Sequence, residues 1–136
     1  MLEISADARM LAGILLLALI TVETGGYYLT RIARGHVPAT DFQRSFARAG
    51  HGHAGIFVTL GLITAVLADA TSYDGALLWV ARSFVPLAAI VMPAGFFFSS
   101  MGAGRTAPNR LFVLVWIGAA ILAVGLATLG IGLIAA

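Results

Sequence analysis

The chain contains no cysteine and no lysine. Without thiols there are no disulfides, no thiolate metal sites and no cysteine nucleophile. Charge of either sign is scarce: of 136 residues, 10% are charged and 60% hydrophobic. A soluble domain carries about 25% charged residues. With so few, and a mean hydropathy of +1.00, the chain could not solvate its own exterior, so lipid is its expected solvent. The motifs of serine hydrolases, P-loops, zinc fingers and nucleic-acid modules are also missing, and no nucleic-acid partner is expected. The basic pI near 9.7 comes from arginines in short loops, where they bear on membrane orientation.

What is present is four long apolar runs. They predict an all-α, integral membrane four-helix bundle forming one domain, with spans from about Asp7 to Arg31, Asp41 to Ala68, Tyr73 to Ser100 and Pro108 to Ala135. The start of the chain, with Glu3, Asp7 and Arg9, is mostly acidic, and the first run is too long for a signal peptide, so it is expected to be a retained helix. Ser5 suits its N-cap, and Asp7 in the first turn suits the helix dipole. Pro38 ends that helix, and Thr40-Asp41-Phe42-Gln43 reads as a capping box opening the second. Thr71 with Asp74 resembles another such box before the third. That helix holds Pro86 and Pro93, which should bend it. Its Arg82 is expected to snorkel to the interface or pair with Asp74 or Asp69. Pro108 fits the first turn of the last helix, where Gly118, Gly125, Gly130 and Gly132 favour close helix contact.

Arg31, Arg34, Arg44, Arg48, Arg105 and Arg110 flank the first and third loops, whereas Glu3, Asp7, Asp69 and Asp74 gather at the other end with Arg9 and Arg82. The positive-inside rule then makes the first and third loops cytoplasmic, in a bacterial-type inner or plasma membrane.

Chemistry is concentrated in Arg48-Ala49-Gly50-His51-Gly52-His53-Ala54-Gly55, which holds two of the three histidines. Imidazoles at the edge of hydrocarbon are costly unless partnered. Two residues apart on a helix, His51 and His53 point about 160° away from each other and cannot chelate one metal. His51 continues a polar stripe of Arg44, Arg48, Gly55 and Thr59. His53 belongs to an aromatic face with Phe42, Phe46 and Phe57. On the first span Glu23, Tyr27, Thr30 and Arg34 share a face, with Glu23 about 12 Å inside the Arg31 end. His36 reads as a solvated loop residue. Three readings remain open on these residues: an imidazole ligand to a metal or haem iron, a proton or ion pathway through Glu23 and the histidines, and a structural knot.

His36-Val37-Pro38, then Ala47-Arg48-Ala49 followed by His51 or His53, resemble the membrane-bound styrene oxide isomerases, and more distantly the hydroxylaminobenzene mutases. Gly95-Phe96-Phe97-Phe98-Ser99-Ser100 and Pro108-Asn109-Arg110 extend the similarity. The resemblance implies a trimer of four-helix subunits carrying haem b at subunit interfaces, with a second-helix histidine on iron. It implies Lewis-acid opening of a small apolar, epoxide-like substrate. Carried over, His53 in His53-Ala54-Gly55 is the first choice of ligand and His51 the second, with Phe57 and Arg48 as further cofactor contacts. Glu23, Tyr27 and Thr59 are the residues expected to polarise or position substrate. The chain departs from that pattern where an asparagine is replaced by Thr59 and a third-span tyrosine by Phe96, Phe97 or Phe98. The alternative is a non-enzymatic channel, proton-conducting or structural membrane protein.

Overall fold

The computed structural model describes residues 3–136. Among them there are four helices long and apolar enough to cross a membrane, and no strand. They are α1 (Ala6–Ala33), α2 (Asp41–Leu67), α3 (Gly75–Ser100) and α4 (Val113–Ala135). The protein is an all-α membrane bundle. Short 3₁₀ turns at Ala68–Ala70 and Arg110–Phe112 finish α2 and lead into α4.

The caps follow from local chemistry. The Ser5 hydroxyl accepts from the Ala8 N–H at 3.2 Å, supplying one of the partners a helix start lacks. Thr40 and Gln43 form a full capping box, each side chain bonded to the other's backbone N–H. Two starts differ from the expectation. The Thr71 hydroxyl donates back to the Ala68 carbonyl at 2.8 Å, so no Thr71–Asp74 box forms, and α3 begins after Asp74, whose side chain makes no capping bond. The Ala68 carbonyl, which also accepts the Thr71 N–H at 3.2 Å, competes for that hydroxyl and wins it. Likewise Asn109, not Pro108 before it, sets the start of the last span. Its Oδ1 accepts from the Leu111 N–H at 2.8 Å and its Nδ2 donates to the Phe98 carbonyl at 2.9 Å. Pro108 therefore lies outside the cap. Helix α3 is continuous through Pro86 and Pro93.

Packing is sequential. Helix α1 lies on α2, α2 on α3 and α3 on α4, whereas α2 and α4 make no extended contact with one another. Glycines permit the closest approach, between α3 and α4. A Cβ on Gly118 would sit 2.8 Å from the Met92 backbone N, and one on Gly95 would sit 2.6 Å from the Val115 N. In lipid there is little hydrophobic drive to bring helices together, so such contact between backbones is what joins them. Gly130 has nothing within 4 Å of its would-be Cβ and belongs to the outer surface instead.

At the end bearing Asp7, Asp69 and Asp74, Arg82 is 2% exposed and forms ion pairs with Asp69 and, at 3.6 Å, with Asp7. Asp69 also accepts from the Ser5 N–H at 2.8 Å and the Ser5 hydroxyl at 2.9 Å. One cluster thus ties the start of α1, the end of α2 and the first turns of α3. Arg82 neither reaches the interface nor pairs with Asp74. A buried pair that loses one member leaves an uncompensated charge, at a cost of about 3–5 kcal/mol. Asp69→Asn is therefore expected to lower the thermal midpoint in detergent far more than Asp74→Asn does. Gly118→Leu should destabilise by about 1–3 kcal/mol through overpacking, while Gly130→Leu leaves the midpoint unchanged.

Candidate cofactor crevice

The second helix carries the site because its small residues leave both imidazoles room. The His53 Nδ1 lies 2.7 Å from the Ala49 carbonyl oxygen one turn earlier. A carbonyl can only accept, so Nδ1 carries the hydrogen and donates it. In the neutral ring this leaves Nε2 with the lone pair, and Nε2 has no hydrogen-bond partner among the described residues. A ring held through Nδ1 with Nε2 free is the arrangement found in histidines that ligate metals.

The ring is half-buried in an aromatic setting. Phe96 of α3 stacks on it at 5.0 Å and 28° between planes, and Phe57 meets it edge-on at 5.4 Å. Phe46 packs on Phe96 at 5.5 Å and on Phe112 at 5.8 Å, and Phe112 leads on to Trp116 at 6.3 Å. These rings form one aromatic cluster, in which Phe96 of α3 stands between His53 and Phe46 of α2 and Phe112 at the head of α4. Trp116, 67% exposed, marks its outer edge. The pattern Phe112/Trp116, four apart at the head of α4, is the sequence signal for this part of it.

His51 projects the other way. Its ring lies against α1, where a Cβ on Gly25 or Gly26 would stand 3.3 Å from ring atoms. The Gly25-Gly26 pair is thus the bed on which this imidazole rests. Neither ring nitrogen of His51 bonds a described residue.

The remaining expected site residues fall on the His51 side. Glu23, Tyr27, Arg48 and Thr59 are all exposed. With the α1–α2 and α2–α3 contacts as anchors and about 100° per residue, Glu23, Tyr27 and Thr30 of α1 and Arg48, Gly52 and Thr59 of α2 project from the side of this pair that faces away from α3. The two polar stripes therefore share one face. The Thr59 hydroxyl donates to the Gly55 carbonyl at 2.9 Å and borders a shallow groove with Ile56 and Ile63. Glu23 and Arg48 make no ion pair among the described residues, whereas Arg44 pairs with Asp41 at 3.4 Å. Within one chain, then, the structure joins His53 to Phe57 and Phe96, and does not bring Glu23, Tyr27 or Thr59 to that ring. His36 is exposed in the first loop.

Among the described residues no cluster of three or more histidine or acidic side chains could hold a bare metal ion. A separate cavity of about 840 Å³ lies between α1 and α3 at the arginine-rich end. No protein-family model, curated protein or solved structure matches the chain.

The hydrogen-bond geometry fixes a tautomer that can be measured. Ring ¹⁵N spectra should show His53 protonated at Nδ1 and unprotonated at Nε2, while a predominantly Nε2-protonated ring would contradict the Ala49 contact.

Proposed function

We propose that this protein is a haem-b-dependent membrane isomerase or mutase acting on a small apolar, epoxide-like substrate, with His53 as the iron ligand. The observation that carries the reading is the His53 ring, anchored through Nδ1 to the Ala49 carbonyl beside Phe57 and Phe96, with no hydrogen-bond partner for Nε2 among the described residues. The residues fit the group. A porphyrin brings four nitrogens of its own, so one imidazole suffices, and the lack of a multi-residue metal cluster is no obstacle. Phe57 and Phe96 hold the imidazole's orientation and would offer apolar contact to a macrocycle. Held by His53, ferric haem would supply Lewis-acid chemistry.

The protein's own part is positioning and exclusion of water. His53 fixes where the iron would sit; Phe46, Phe57, Phe96 and Phe112 would keep water from its ring. An apolar substrate concentrates in the bilayer and would enter from lipid. Glu23, Tyr27 and Thr59 lie on another face of the same chain. Their role in polarising or positioning substrate requires a neighbouring copy, which supports a homo-oligomer, a trimer by the family resemblance. Arg48 on that face would be available to a porphyrin propionate of the neighbour. The positive-inside rule orients the arginine-rich loops to the cytoplasm.

A second reading rests on His51, whose ring nitrogens bond no described residue beside a face carrying an unpaired Glu23. It is a proton pathway. One preparation separates the two. Protein expressed with haem available is expected to show a Soret band that His53→Ala abolishes and His51→Ala retains. A colourless protein, or a band indifferent to His53, overturns the haem reading. Proton flux in liposomes that depends on Glu23 then establishes the second.

A further inference from the structure

The cavity between α1 and α3 is unused by the haem reading, and its shape and surroundings specify an occupant. Near Arg82, α1 and α3 are drawn together by the Asp7 ion pair, and midway Leu15, Val58 and Ala89 form a packed cluster. Toward the arginine-rich end the two helices part, leaving the wedge of about 840 Å³. Its floor is apolar, formed by the buried Ile32 and Ala47 and the half-buried Phe97, and its rim is Tyr28 and Met101, 47% and 63% exposed. Gln43 crosses the inner end, its Nε2 donating to the Ser100 carbonyl at 3.0 Å and the Gly102 carbonyl at 2.7 Å, while its Oε1 accepts from the Thr40 N–H at 3.2 Å. The polar groups of the wall are thereby engaged within the protein.

An apolar wedge of this size, open to a bilayer, will not stay empty. Water would find almost no free partners on the floor, and a void forfeits the dispersion contacts of its lining. The filler that hydrocarbon solvent offers is an acyl chain. Charge selects its headgroup. Arg31, Arg34, Arg44, Arg48, Arg105 and Arg110 stand at this end, and the only carboxylate beside them, Asp41, is taken by Arg44. Arg105 folds over the glycine-rich wall, its Nε donating to the Met101 carbonyl at 2.7 Å, which leaves its terminal N–H groups free at the rim. Basic pockets between membrane helices attract anionic headgroups.

We infer that this wedge is a binding site for an anionic phospholipid, with one acyl chain along Ile32, Ala47 and Phe97 and the phosphate at Arg105, which packs on the wall residue Gly102. The site is independent of His53 and of the haem reading. The lipid completes the bundle by filling the gap that α1 leaves against α3.

The test uses the full chain, delipidated in detergent, with thermal unfolding followed on titration of phosphatidylglycerol, phosphatidylcholine or inorganic phosphate. Phosphatidylglycerol should raise the midpoint at concentrations where phosphatidylcholine does little and inorganic phosphate nothing. Arg105→Gln should weaken the apparent affinity for phosphatidylglycerol about fivefold, and Arg34→Gln, on the face of α1 turned away from the wedge, should not. Ala39→Trp, in the wedge wall but outside the helices, should reduce the phosphatidylglycerol effect without lowering the midpoint of the lipid-free protein. Equal stabilisation by the two lipids, or full phosphatidylglycerol stabilisation in the Arg105→Gln variant, overturns the proposal. A rise with inorganic phosphate alone equal to that with lipid overturns the acyl-chain part and leaves an anion site. The Soret band plays no part in these readouts, so the two readings fail separately.

Discussion

The fold depends on a guanidinium buried where three helices meet. Arg82 would be expensive in hydrocarbon if left alone, and Asp69 and Asp7 make it tolerable. Because Asp69 is also the acceptor for Ser5, the same carboxylate holds the first residues of α1 against the end of α2. Among the described residues no charge pair links the helices at the opposite end. Hydrogen bonds join α2, α3 and the lead into α4 there instead: Gln43 donates to the Ser100 and Gly102 carbonyls, the Thr40 hydroxyl to the Arg105 carbonyl and Asn109 to the Phe98 carbonyl. Helix α1 has no such tie to α3 at that end, and the wedge lies between them.

The two histidines show how much a helix can separate with one intervening residue. His51 turns into the α1–α2 seam, where two glycines accept its ring edge. His53 turns toward α3 and α4, where only aromatic carbon is within reach and the sole polar partner is its own helix's Ala49 carbonyl. One imidazole fills space between helices against glycine backbone, and the other is held by its own helix within an aromatic cluster.

Much of this was legible in the sequence for physical reasons. The scarcity of charge and the four long apolar runs fix the membrane bundle. The Ser5 cap, the Thr40–Gln43 box and the divergence of the histidines all follow from local geometry. The Thr71–Asp74 box does not form because the Thr71 hydroxyl is drawn to a carbonyl of the preceding 3₁₀ turn, which a pattern search does not see. The Arg82–Asp69 pair was among the partners legible in the sequence, whereas nothing near Arg82 announces Asp7, more than seventy residues earlier. Gly118 and Gly130 look alike in the sequence, yet one sits under the Met92 backbone and the other faces outward. The aromatic wall from α4 was missed for the same reason: Phe112 and Trp116 meet α2 only because α3 holds both helices.

This architecture also constrains how the exposed polar face can matter. Glu23 sits about 12 Å inside the Arg31 end, bonded to no described residue, on the exposed face of α1 that also carries Tyr27 and Thr30. A carboxylate at that depth is costly unless something outside this chain meets it. Thr21, Thr24 and Thr30 on the same helix have turned their hydroxyls back to carbonyls three residues earlier, the usual way a hydroxyl is satisfied without leaving its own helix. A carboxylate has no hydrogen to donate and cannot do the same. Glu23 is thus the residue in α1 whose chemistry the single chain leaves incomplete, and a catalytic role for it and a proton-carrying one both begin from that same deficit.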